Sequence, residues 1–319
     1  MHGMPAAGRQ VARLLALATL ATFFMLSRAD TETGSQSASL RRSRCCSCAQ
    51  GVSVATAAAP DILPSSLPAP SLSDTISPLF IIVMMTYDRP SGHNLAVFNR
   101  SIASILQQTI PDWQLYITGD DYPPAKVATL HPILSQVPAT KLHWANLNTP
   151  GERGRWPGVT DVWRCAGAAA GNYGLERVEM GYNPVRGNMV SPPVIMTHLD
   201  DDDSWAPDHL EVLAQTYERF PDASFVYTQS IFHTAPFPAY SGPLAYNNYP
   251  PRPNNLIHNS ASWRLADFYG WRYRTCNTTG TAVDADLWDR MAKHMSDNGM
   301  KSVFNPRVTT YHLTERGQG

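Results

Sequence analysis

Three observations predict an α/β fold for residues 78–319, with a mostly parallel central sheet flanked by helices. Short, uninterrupted apolar runs recur along the chain, most are followed by segments with helical spacing of apolar residues, and acidic clusters stand directly after two of the runs. Runs that are apolar at every position suit strands buried on both faces, and their alternation with helices is the pattern of a parallel sheet. In such sheets ligands gather beyond the carboxyl ends of the strands.

The first strand is 80-FIIVMMT-86, closed by the turn-forming 88-DRPSG-92. A helix follows at 95-LAVFNRSIASILQQ-108, with Leu95, Phe98, Ile102, Ile105 and Leu106 on one face. The strand 113-WQLYIT-118 ends at Gly119, Asp120 and Asp121, completing a βαβ unit. Next come a strand at 141-KLHWANL-147, an Ala-rich helix at 163-WRCAGAAAGNYGLERV-178 and a strand at 194-VIMTHL-199. The helix 207-PDHLEVLAQTYERF-220 has Pro207 at its expected first position and repeats Leu210, Leu213, Tyr217 and Phe220; 224-SFVYT-228 is the strand after it. In 280-GTAVDADLWDRM-291, Asp284 and Asp286 are expected to precede a helix carrying Leu287, Trp288 and Met291. The aromatic- and Pro-rich 233–255 reads either as a binding rim of aromatic side chains or as an irregular surface loop.

Ahead of this domain the chain changes character. Residues 1–28 contain no acid and carry 14-LLALATLATFFMLS-27, which suits a signal peptide or a short signal anchor, with an organelle transit peptide also compatible. Residues 29–77 are rich in Ser, Ala, Pro and Thr and read as a disordered stem. The secretory pathway follows as the expected location, in the Golgi or ER, as a type II membrane protein attached by its N-terminus or in the lumen. Cys45, Cys46 and Cys48 crowd into the stem while Cys165 and Cys276 stand apart, a spacing that gives neither a disulfide framework nor a zinc site. A formal net charge of −1 without a basic stripe argues against nucleic acid as a partner.

The chemistry concentrates in 200-DDDD-203. Adjacent like charges repel, so such a run needs a cation or a hydrogen-bond network to offset it. If the chain stays extended, Asp200 and Asp202 point one way and Asp201 and Asp203 the other. An Asp-x-Asp pair after a strand can hold Mg²⁺ or Mn²⁺ with positions left open for phosphate oxygens. A structural reading competes, in which Asp203, Ser204 or Asp208 cap the next helix. An EF-hand loop fails, because its sixth position holds Trp205 where glycine makes the turn. Asp284 and Asp286 read either as caps or, for a carboxylate near an electrophile, as a base.

The succession 81-IIVMMTYDRP-90, 99-NRSIASILQQTIPDWQLYITGDD-121, 166-AGAAAGNYGLERV-178, 198-HLDDDDSWAPDHLE-211 and 283-VDADLWDRM-291 resembles the family 2 glycosyltransferases of GT-A fold, over about residues 78–312. The resemblance implies a Rossmann-like nucleotide-binding half beside an acceptor-binding half. It also implies a nucleotide-sugar donor, usually a UDP-sugar, a carbohydrate, lipid or protein acceptor, and transfer with inversion. By matching positions, Thr86, Tyr87 and Asp88 would line the nucleotide pocket, Asp120 would bind the uracil, and Asn172 would lie near the donor. Asp202 would hold the divalent metal, Mn²⁺ or Mg²⁺, with Asp200 nearer the ribose and able to share the ion. Asp284 matches the general base. His312 would reach the metal or diphosphate, or else serve structurally. The chain departs from the pattern at Val283, Gly119, Tyr122 and Gly171, where the family has Glu, an acid, Gly and Arg. Two rival readings follow: a catalytically silent sugar-nucleotide-binding scaffold, and a nucleotidyltransferase, for which 86-TYDRPSGH-93 is a poor phosphate loop.

Overall fold

The computed structural model describes residues 78–89, 94–152, 167–182, 192–239, 242, 244–246, 251–253, 255–274 and 281–312. All lie in the unit that runs from Pro70 to Gly319. The predicted leader, the stem and all five cysteines fall outside the described residues. No helix among those residues is long and apolar enough to cross a membrane.

The elements run β1 (Leu79–Thr86), α1 (Asn94–Leu106), β2 (Trp113–Gly119), α2 (Pro124–Leu134), β3 (Leu142–Asn146), α3 (Ala168–Gly181), β4 (Val194–His198), β5 (Ser204–Trp205), α4 (His209–Arg219), β6 (Ala223–Phe232), β7 (Ala235–Phe237), β8 (Ala245–Tyr246), β9 (Ala261–Arg264), α5 (Val283–Asp297) and β10 (Lys301–His312). They build one mixed sheet in the order β3-β2-β1-β4-β9-β6-β10-β5, with β7 on β6 and β8 on β10. The ladders β1/β2, β1/β4, β2/β3 and β6/β10 are parallel. The antiparallel β9 is set between β4 and β6, an insertion the sequence pattern does not announce.

The sheet is buried on both faces, which explains the uninterrupted apolar runs. Successive β1 residues alternate between two cores. Phe80, Ile82 and Met84 pack with Phe98 and Ile102 of α1, Leu130 of α2 and Leu213 of α4, whereas Ile81 and Val83 pack with Leu175 of α3 and Trp288 and Met291 of α5.

Three local expectations are corrected. Leu95 and Leu106 are exposed; the buried stripe of α1 is Val97, Phe98, Ile102 and Ile105, with Ser101 and Ser104 between them. Helix α4 begins at His209 and not at Pro207, and its N-cap, Asp208, makes no side-chain capping bond but pairs with Arg307. Asp284 and Asp286 lie inside the first turn of α5, whose N-cap is Ala282. Carboxylates there face the positive end of the helix dipole.

Candidate active site

The acid run leaves the end of β4 and turns back on itself, the Asp203 N–H reaching the Asp200 carbonyl at 3.3 Å. That turn breaks the alternation expected of an extended chain. Carboxylate oxygens of Asp200, Asp202 and Asp203 come within 4.8 Å of one another, so Asp203 joins the pair it was expected to oppose. Only Asp201 faces elsewhere.

The buried acids are held by two groups of partners. Asp201 takes both arms of Arg89, at 2.5 and 2.8 Å, and the same guanidinium stands 3.2 Å from Asp202. Burial works against the Arg89 charge, but its bonds and attraction to Asp201, with the added pull of Asp202, outweigh that and hold it protonated. Burial raises the Asp201 carboxyl, and Arg89 and the Thr86 hydroxyl offset part of the rise. Since Thr86 donates to Asp201, the Tyr122 hydroxyl 2.8 Å away must donate to Thr86. Asp203 accepts from Asn259 and, at 2.8 Å, from Nδ1 of His312. The Asn259 side-chain amide oxygen, Oδ1, in turn receives the Asp200 N–H at 2.6 Å. Capping by Asp203 or Ser204 is thereby ruled out: Asp203 is turned toward β10, and Ser204 belongs to β5.

The remaining candidates fall around this run. The Asp120 N–H bonds the Thr86 carbonyl at 2.8 Å, and its carboxylate receives the Gly151 N–H at 2.8 Å. Tyr87 lies under the Arg89 guanidinium, while Asp88 is drawn aside to Lys126 at 3.4 Å. The Asn172 amide exchanges two bonds with the Tyr273 backbone, at 2.8 and 2.9 Å. His312 stands one contact behind the carboxylate group, through Asp203. The Asp284 carboxylate receives the N–H of Ala285 at 2.8 Å.

Tyr273, which sequence reasoning missed, ties these parts together. Burial pushes its phenol well above the usual value, and the carboxylates of Asp200 and Asp284 add to the rise, so both acids lie in electrostatic reach of it. Its hydroxyl stands 3.2 Å from His198 Nδ1 and 3.2 Å from His258 Nε2, and with one proton it donates to one imidazole and accepts from the other. Arg89 was missed as well; a buried guanidinium near an acid run requires a carboxylate, and that was the available signal.

Two departures from the family pattern have steric causes. A Cβ at Gly171 would meet Met85 Sδ at 2.7 Å and the Tyr273 ring at 2.8 Å. One at Gly119 would meet Asn146 Oδ1 at 2.6 Å and Trp144 at 2.9 Å. At either position a larger residue would require these side chains to shift.

Hard carboxylate oxygens from Asp200, Asp202 and Asp203 are a donor set that fits Mg²⁺ or Mn²⁺.

No family model matches the chain. An uncharacterized glycosyltransferase of Acanthamoeba polyphaga mimivirus is 34% identical over 251 residues, covering 74% of this chain and 94% of the relative. The chain belongs to the glycosyltransferases. Among solved structures, this glycosyltransferase is similar to S. aureus TarS 1-349 in complex with UDP, at a TM-score of 0.47 and 9% identity, over 74% of this chain and 60% of that one. It is also similar to the mannosyltransferase PcManGT from Pyrobaculum calidifontis in complex with GDP-Man and Mn²⁺, at a TM-score of 0.45 and 14% identity, over 76% of this chain and 59% of that one.

Proposed function

We propose that this glycosyltransferase is a family 2, GT-A-type enzyme that moves a sugar from a UDP-sugar to an acceptor hydroxyl with inversion. The observation that carries the reading is the gathering of carboxylate oxygens of Asp200, Asp202 and Asp203 within 4.8 Å of one another, beyond the carboxyl end of β4. In this reading Asp120 takes the uracil beside Thr86 and Tyr87, and Asp200 borders the ribose. Asp200, Asp202 and Asp203 would hold a divalent ion, which when bound neutralises charge on the diphosphate leaving group. Asp284, one oxygen fixed by the Ala285 N–H, takes the acceptor proton. The acceptor oxygen then bonds to the anomeric carbon as the bond to the diphosphate breaks on the opposite face. Arg89 keeps Asp201 out of the carboxylate group, so the run presents three charges to the donor and not four.

A silent scaffold is the rival reading, favoured by Val283, which is buried in the core where the family pattern has a glutamate. Calorimetric titration of UDP into the full chain, with GDP as comparator and with and without Mn²⁺, tests the donor site. Metal-dependent UDP binding is expected, and binding of neither nucleotide would overturn the proposal. Product analysis with UDP-sugars then separates turnover from silent binding.

A further inference from the structure

We propose that the aromatic corner at the carboxyl ends of β6 and β10, centred on Phe232, is the acceptor subsite, and that the acceptor is a carbohydrate whose ring lies on Phe232. The inference rests on the glycosyltransfer reading and names the acceptor class which that reading leaves open.

Strand β6 is buried along most of its length and emerges only at its end, where Phe232 is 40% exposed. Phe232 is in register with His312, and the two rings stack at 4.7 Å and 11°. His312 in turn holds Asp203 at 2.8 Å, so the exposed ring stands two contacts from the carboxylate group. The rings of His233 and Phe237 flank Phe232 at 4.2 and 5.9 Å.

Sheet order decides which substrate this corner serves. Asp120 and Thr86 end β2 and β1, whereas Phe232 ends β6, three strand positions beyond β1. At about 4.8 Å per strand that is on the order of 14 Å across the sheet, on the other flank of the acid run. A nucleotide seated at β1 and β2 leaves this flank to the acceptor.

The chemistry selects a sugar. A pyranose offers an apolar C–H face to the negative face of an aromatic ring and hydroxyls at its rim to polar neighbours. Phe232 supplies the first, and the imidazole beside it supplies the second. A lipid tail would need a broader apolar surface than one ring bordered by imidazoles. The backbone adds an independent sign. His233 opens the tight turn between β6 and β7 with φ at 58°, a conformation that favours glycine or asparagine. That turn geometry sets the His233 imidazole edge against Phe232.

The test measures binding of methyl glycosides of glucose, galactose, mannose and N-acetylglucosamine to the full chain, by saturation-transfer NMR in the presence of UDP and Mn²⁺. UDP affinity is measured by calorimetry on the same samples. At least one glycoside is expected to bind wild type, to bind Phe232→Ala about tenfold more weakly, and to recover in Phe232→Trp, with UDP affinity unchanged throughout. A glycoside that binds wild type and Phe232→Ala equally overturns the proposal. So does a wild-type protein that binds UDP but no glycoside, an outcome that points to a protein or lipid acceptor. Loss of UDP binding in wild type would instead strike the donor reading, and glycoside binding that depends on Phe232 would still stand beside it.

Discussion

Strands β3, β2, β1 and β4 are parallel and enclosed by apolar side chains, whereas β9, β6 and β10 approach the same edge in mixed directions and bury many polar groups. Ser262 donates to the Val226 carbonyl, Thr309 to Thr228, and His209 shares its Nδ1 with Thr309 at 2.7 Å. The first half is therefore fixed mainly by area removed from water, which is insensitive to pH, with buried His198 at the end of β4 as its titratable exception. The second adds to its apolar core a set of buried hydrogen bonds, one of them to titratable His209, and unmade bonds there cost more than made ones return. In the proposed reaction the donor belongs to the first half and the proton transfer to the second.

The largest expected effect breaks the link between the halves. Arg89→Ala leaves Asp201 buried without its guanidinium and should cost about 3–5 kcal/mol in urea unfolding; a loss under about 1 kcal/mol would mean the acid run does not hold the sheet. Next, Asp284→Asn should lower kcat by about 10²-fold with UDP affinity nearly constant, placing the chemistry in the mixed half. A matching fall in UDP affinity would erase the division of labour.

The third effect is on pH. Burial holds His209 down to about 3, from 6.5 when unfolded, so it stays neutral in the folded state while the unfolded chain takes up the proton. Its stabilisation is complete above pH 6.5 and declines toward about 3, by about 1.4 kcal/mol per pH unit once the unfolded chain is protonated. His198 acts in the same direction, lowered by burial and by His258. Unfolding midpoints of wild type and His209→Gln between pH 7.5 and about 5 should diverge, with the variant flatter; parallel slopes would place the sensitivity elsewhere. The smallest effect is at Leu95, whose exposure predicts that Leu95→Gln changes stability by less than about 0.5 kcal/mol, against several for Ile102→Ala.

The parallel half was legible because double burial leaves runs such as 80-FIIVMMT-86 with no polar residue before the last, a pattern that local composition reveals. Strand β10 was not. Its register slips between Asn305 and Val308, around Pro306, so the alternation that marks a strand is lost where the ladder bulges. Helix α2 was hidden by Pro132 within it, and β9 by its four residues, too few to show a period. At the site, the acid run after β4 and Asp120 after β2 were readable as positions beyond strand ends. The share of Asp203 was not readable, because a turn overrode the pleat. Tyr273 carried no signal at all, since its neighbours come from β4, α3 and the segment before β9.

Four consecutive identical residues look like a patch whose total matters, yet their surroundings differ: Asp201 takes both arms of Arg89 after β1, Asp202 stands beside the same guanidinium, Asp203 accepts from Asn259 and His312, and the Asp200 backbone is held by Asn259. The run is spelled by position. Inserting or deleting one aspartate would keep the letter repeated and hand every later carboxylate to its neighbour's partner, so length here is under tighter constraint than charge.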